Sequence, residues 1–248
     1  MNKPIIVLTA NIIPNSNAGF LVDPQIRKEQ YINALAWYLE NTNYDIIWIE
    51  NSNSSIKDDI KESYHKKVEF LVFDDPAEEI DRSKGYKEIK MMEYACMNSE
   101  KLKDADLVIK ITGRLICLNI VDIVKKIEKQ AKFSNSFFSC TVNIRQTYTD
   151  SRIFSFNKNI FSTVIKYGDL VTSTCGLEDA LLILVKNSKK ENLDFHYQPL
   201  PPRFKGINGG FGYEWKNNWF NYIYDLFKHE LKKISFKIRK NKLKGVDI

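Results

Sequence analysis

Apolar and polar positions along the chain change period in an order that spells out alternating strands and helices. Ile5 to Leu8 is a short apolar run that predicts a first strand, followed by an Asn/Ser/Gly/Pro-rich loop from Thr9 to Pro24 of the kind that lines sites. Gln25 to Asn41 predicts a helix, with Ile32, Leu35, Ala36 and Leu39 on one stripe and Asp23-Pro24 as its start signal. A near-continuous apolar strand, Tyr44 to Ile49, ends in Glu50-Asn51-Ser52. After a polar stretch read as helical, Val68 to Phe73 ends in Asp74-Asp75-Pro76. A helix follows from Lys84, with Ile89, Met92 and Cys96 as its buried stripe. It feeds the strand Leu107 to Ile111, which ends in Thr112-Gly113-Arg114. Asn119 is a candidate cap for a further helix carrying Ile120, Val124, Ile127 and Ala131.

Continuous apolar strands alternating with helices predict an α/β fold: a Rossmann-like half with a mostly parallel sheet and helices on both faces. From Phe137 to Phe156 the text turns β-rich and aromatic, so the second half is expected to be mixed. The segment from Val171 to Asn187 opens an apolar helix with Glu178-Asp179. Those two acids also complement a helix dipole, although no clean capping box frames them. The stretch PLPPRFKGINGGFGYEW, 199 to 215, reads either as a lid over a cleft or as a plain connection.

The chain of 248 residues, 44% of them hydrophobic, can bury a sizeable core, and no apolar run is long enough to cross a bilayer. The four cysteines, Cys96, Cys117, Cys140 and Cys175, are scattered without metal-ligand spacing and are expected to be reduced core thiols. The three histidines, His65, His196 and His229, are expected at the surface. From Lys228 onward eight Lys/Arg face two acids, which accounts for the whole net charge of +6, so the body offers no basic surface for nucleic acid. In that tail Trp219, Ile223, Leu226, Phe227, Ile234 and Ile238 recur near helical spacing among the lysines. The pattern fits a basic amphipathic helix lying on an anionic membrane; a helix packed on the body and a nucleic-acid-binding tail are the alternatives.

Ligands of open α/β sheets collect at the carboxyl ends of strands, which makes Lys110, Thr112, Gly113 and Arg114 candidates for holding phosphate oxygens. In the order of its elements, residues 3 to 215 resemble GT-A-type glycosyltransferases of bacterial capsule and lipopolysaccharide gene clusters. The resemblance implies a catalytic domain over 1 to 215, with a nucleotide-binding half to about 132 and an acceptor half from about 133, followed by a tail over 216 to 248. It implies a nucleotide-sugar donor held by Thr9, Ala10, Asn11, Arg27, Glu50, Asn51, Lys84, Gly85 and Glu88 together with the strand-end group. A lipid-linked or oligosaccharide acceptor would lie near Asp150, Arg152 and Arg203.

Where members of that family carry Asp-x-Asp for a divalent metal, this chain has Lys110-Ile111-Thr112-Gly113-Arg114. The departure implies no cofactor, with cations neutralising the diphosphate directly; Mn2+ or Mg2+ on Asp150 is the alternative. Glu178-Asp179 resembles the acidic pair of inverting members, which implies Asp179 as base and Glu178 as an orienting group. The other functions weighed are a sugar-phosphate nucleotidyltransferase and a non-catalytic nucleic-acid binder. The expected location is the cytoplasm, peripheral on the inner face of the membrane.

Overall fold

The computed structural model describes residues 3–14, 23–73, 83–143, 145, 147–207, 212, 214–215 and 219–243, with side chains to 238. Much of the loop after the first strand, Asp74-Asp75-Pro76, part of the Gly/Pro-rich stretch and the last five residues lie outside the described residues, as do the side chains of Arg239, Lys240 and Lys242.

The strands are β1 (Pro4–Ala10), β2 (Asp45–Glu50), β3 (Val68–Val72), β4 (Leu107–Thr112), β5 (Ile116–Cys117), β6 (Phe137–Val142), β7 (Thr149–Asn157), β8 (Asp194–Tyr197) and β9 (Phe204–Lys205). The helices are α1 (Pro24–Asn41), α2 (Lys84–Asn98), α3 (Glu100–Lys103), α4 (Ile120–Ala131), α5 (Phe161–Gly168), α6 (Leu177–Lys186) and α7 (Trp219–Leu243). Seven strands form one sheet in the order β3-β2-β1-β4-β7-β6-β8, and β5 pairs with β9 apart from it. Every pairing among the first four is parallel, whereas β7 runs antiparallel to both β4 and β6. This mostly parallel sheet with a mixed second half is the layout expected from the sequence.

Two apolar layers clothe the sheet. Ile5, Val7, Val108, Phe154 and Phe156 face α2, α5 and α6, while Ile6, Leu8, Ile109 and Ile153 face α1 and α4. Burial on both faces is the reason the strands read as unbroken apolar runs. Asp23 caps α1 by accepting from the Gln25 and Ile26 amides, and Pro24 takes the first-turn position where no amide is needed.

Several expectations change. The polar stretch between β2 and β3 is not an α-helix but two 3-10 turns, Lys57–Asp59 and Glu62–Tyr64, since it offers no apolar stripe long enough to dock. Asn119 holds the cap position of α4 as expected, but its side chain makes no cap bond. Its Oδ1 accepts from the Arg203 amide at 2.9 Å and its Nδ2 donates to the Pro201 carbonyl, so it fastens a distant loop. Cys96 is exposed and Cys175 half-buried; on α2 the buried positions are Tyr86, Ile89, Met91, Met92 and Ala95. Cys117 and Cys140 are core thiols as expected, and burial pushes Cys117 up to about 12.

His229 is not at the surface. It is 4% exposed, bonded to the Gln198 carbonyl at 2.7 Å, and packed edge-on against Tyr197. Burial depresses its pKa, so the unfolded chain takes up a proton at this position before the folded chain does. Its contribution to stability is therefore present above the ordinary His range and lost as the pH falls through the folded value. Unfolding free energies from urea titrations between about pH 7 and about pH 5 should fall by at most about 1.4 kcal/mol per pH unit from this group, and His229→Gln should flatten the profile.

Candidate functional site

The carboxyl ends of β1, β2 and β4 meet at one place because the three strands are adjacent and parallel. Gly113 permits that convergence. Its amide donates to the Thr9 carbonyl at 2.8 Å, and a Cβ there would stand 2.7 Å from the same oxygen. Gly85 is required by packing, since a Cβ on it would meet Leu177 Cβ at 2.6 Å. The start of α2 is thereby pressed against the start of α6, which carries Glu178-Asp179.

Three cations converge beside these strand ends. Arg27 reaches from the first turn of α1 to the Asn11 carbonyl at 2.8 Å, and Arg114 donates to the Ile207 carbonyl at 2.6 Å. Lys84 stands at the first position of α2. Burial lowers the pKa of Lys84, and Arg27 and Arg114 push it further the same way. Burial also lowers Arg114, with Arg27 adding to the shift while Tyr31 and Glu88 oppose it. Mutual repulsion among cations held at one point is an arrangement that an anion relieves. The start of α2 contributes in the same sense, because Ser83 makes no side-chain cap bond to its first-turn amides.

Two predicted contacts turn out to be internal. Lys110 lies on the α2-facing side of β4, completely buried. Its Nζ donates to Glu88 Oε2 at 2.8 Å and to the Ser151 carbonyl at 2.9 Å, over the Phe154 ring. It neutralises Glu88 rather than reaching a diphosphate. Glu50 is also fully buried and braces the strand-end loops, accepting from the amides of Ile12, Ser52 and Ser54 at 2.8, 2.8 and 2.9 Å. Asn51 differs: its Oδ1 accepts from Asn11 Nδ2 at 2.8 Å, but its own Nδ2 is buried without a partner. Thr9 and Ala10 are buried at the end of β1, with Thr9 Oγ1 directed to Glu88 Oε1 at 3.4 Å, and Thr112 is half-buried at the end of β4.

The acidic pair is joined to this site through Ser151. Its carbonyl accepts from Lys110, and its hydroxyl donates to Glu178 Oε1 at 2.5 Å. The polar chain Thr9, Glu88, Lys110, Ser151, Glu178 thus links β1, α2, β4, β7 and α6. Asp179 accepts the Gly176 amide on Oδ2 at 3.0 Å. It supplies half of a capping box, since glycine has no side chain to complete the other half. A glycine at the cap position is the reason no clean capping box is legible in the sequence.

Asp150, Arg152 and Arg203 share a separate cavity of about 220 Å3 under the first turns of α7. Asp150 binds Arg152 through both oxygens, at 2.8 and 2.6 Å, and the guanidinium lies 4.5 Å from the Trp215 ring centre and 4.9 Å from that of Phe204. A metal on Asp150 would have to displace that pairing, and no cluster of three or more potential ligands occurs among the described residues. Tyr31, Ser151 and Trp215 escaped the sequence reading. Tyr31 carried a hint, four residues after Arg27 and so on the same helix face.

No family model matches the chain. No curated protein matches it either. Among solved structures it is similar to a protein of Desulfovibrio desulfuricans G20 described as a nucleotide-diphospho-sugar transferase, with 11% identity over 79% of this chain and 80% of that one and a TM-score of 0.47. It is also similar to a glycosyltransferase involved in glycosylating the major capsid of PBCV-1, with 8% identity, 78% and 80% coverage and a TM-score of 0.45. A cytidylyltransferase from Leptospira borgpetersenii serovar Hardjo-bovis matches at 14% identity over 100% of this chain and 99% of that one, with a TM-score of 0.42. At such identities and TM-scores these likenesses carry no chemistry over to this chain.

Proposed function

We propose that the protein is a glycosyltransferase that moves a sugar from a nucleotide-sugar donor, of the uridine diphosphate class, to a surface polysaccharide or lipid-linked glycan, with inversion and without a metal. The observation that carries this reading is the convergence of Arg27, Lys84 and Arg114 at the ends of β1 and β4, where Glu88, a carboxylate that acts on Arg114, is already paired with Lys110. A leaving diphosphate needs positive charge and directed donors in that position, and guanidinium groups supply both. The unpartnered Asn51 Nδ2 offers a donor to the nucleoside beside it.

In the reaction Asp179 takes the proton from the acceptor hydroxyl, the oxygen bonds to the anomeric carbon, and the bond to the diphosphate breaks with its electron pair going to the phosphate oxygen. Glu178, held by Ser151, orients sugar hydroxyls. The acceptor presents its hydroxyl to Asp179 at the start of α6. No described helix is long and apolar enough to cross a membrane, and the basic α7 attaches the protein to the inner face of the membrane, where lipid-linked acceptors of capsule and lipopolysaccharide assembly are found.

The test is release of nucleoside diphosphate from uridine, guanosine and thymidine diphosphate sugars, with a chelator and with manganese. Release from a uridine diphosphate sugar that the chelator leaves unchanged is expected. Absolute dependence on manganese would contradict metal independence, and diphosphate formed from a nucleoside triphosphate and a sugar phosphate would identify a nucleotidyltransferase instead.

A further inference from the structure

α7 presents one face to the body and the opposite face to solvent. Tyr222, His229 and Phe236 recur every seventh position and dock on the body: Tyr222 lies at Asn119 and Arg203, His229 at Gln198, and Phe236 against Phe195 and Tyr197. The opposite face shows Phe220, Tyr224, Phe227, Leu231, Ile234 and Ile238 at alternating spacings of four and three. All six are exposed, from 46% at Leu231 to 82% at Phe220. Six apolar side chains in one stripe exceed the scattered exposure of an ordinary surface.

Charge at the margins selects the occupant. The positions flanking the stripe include Lys228, Lys232 and Lys237 against Glu230. A second copy laid along the stripe would bring lysines together with little complementary charge, whereas an anionic bilayer satisfies both the apolar face and its basic margins.

Lys228 connects this face to the cavity that holds Asp150, Arg152 and Arg203. Its Nζ lies 4.1 Å from the ring centre of Tyr224, on the exposed stripe, and the residue also lines the cavity together with Arg203 and Lys232. Asp150 is matched by Arg152, and neither Lys228 nor Lys232 has a carboxylate within ion-pair distance among the described residues. Asp225 is the remaining acid of the lining among the described residues. The cavity is therefore cationic and stands at the edge of the lipid-facing surface.

We propose that this cavity binds the phosphate group of an anionic phospholipid whose chains lie against the exposed face of α7. This rests on the membrane attachment in the proposed function, and it adds a phosphate site that fixes how the catalytic body is set on the bilayer. Phosphate oxygens meet Arg203, Lys228 and Lys232, and Trp215 and Tyr222 wall the cavity on its apolar side.

The test is flotation of the full chain with phosphatidylcholine vesicles and with phosphatidylcholine–phosphatidylglycerol vesicles, with glycerol 3-phosphate as a soluble competitor. Binding to the anionic vesicles alone is expected, with Leu231→Ser/Ile234→Ser abolishing it. Lys232→Glu should weaken partitioning about tenfold or more, beyond the loss from Lys237→Glu, which makes the same charge change outside the cavity. Equal losses from the two variants would show diffuse attraction and overturn the cavity site. A thermal shift by glycerol 3-phosphate alone, with vesicle flotation unaffected by it, would assign the cavity to a soluble phosphate ester and overturn the lipid site. A concentration-dependent dimer that Leu231→Ser/Ile234→Ser converts to monomer, with no vesicle binding, would assign the stripe to a second copy and overturn the proposal. Nucleoside diphosphate release without vesicles reports on the transferase reading independently.

Discussion

Asp179→Asn is expected to lower kcat about 10²- to 10⁴-fold, the range general-base catalysis supplies, while donor affinity stays near that of the native protein. Asn is the informative replacement because of what Asp179 does locally. Its Oδ2 holds the Gly176 amide at the start of α6, and an Asn side-chain oxygen can keep that bond. Ala would remove base and cap together, adding about 1 kcal/mol of lost stability to any loss of activity. Single-turnover kinetics on Asp179→Asn and on Glu178→Gln separate the two roles. Turnover that survives in the first variant and collapses in the second would move the base to Glu178, whose carboxylate is the one joined to Ser151.

Glu88→Ala should destabilise the fold by about 3 kcal/mol, because it leaves the Lys110 ammonium fully buried without a countercharge. For a domain of this size that corresponds to a fall in Tm of roughly 6–12 °C. The reverse deletion, Lys110→Met, should cost less, since the Glu88 side chain keeps 22% of its exposure and can turn to solvent. Glu88→Leu/Lys110→Met, which replaces both partners, should recover most of the loss. Thermal melts of the three variants check the ordering. Equal losses from both single variants would mean that the pair acts as one unit whose burial is not the controlling term.

The parallel half of the fold was legible because a strand covered on both faces has to be largely apolar, and β1, the middle of β2 and, Lys110 apart, β4 are. The same property hid the direction of Lys110. With no alternation to read, a lysine next to Thr112-Gly113-Arg114 looks like part of the strand-end group, and only the sheet shows that it faces α2 while Arg114 stands past the last pair. Glu50 misled for a related reason: a carboxylate at a strand end suits a ligand or three loop amides equally well, and the fold of the following loop decides. The link from Lys110 through Ser151 to Glu178 depends on β7 entering antiparallel beside β4, a long-range pairing that no local spacing encodes. The tail was legible as an amphipathic helix. Its two apolar seams, one docked and one exposed, could not be told apart before His229 and Phe236 were seen against β8 and its flanking loop.

The most direct test of the central claim, a cationic site for a nucleotide-sugar diphosphate, is calorimetric titration of a uridine diphosphate sugar into the native chain, Arg114→Ala and Arg114→Lys in the presence of a chelator. The account predicts binding without metal and a loss of about 30-fold or more in Arg114→Ala, equivalent to about 2 kcal/mol. Arg114→Lys should fall between, keeping the charge but not the planar fork. Binding that is the same in all three proteins, or that appears only with manganese, would contradict it.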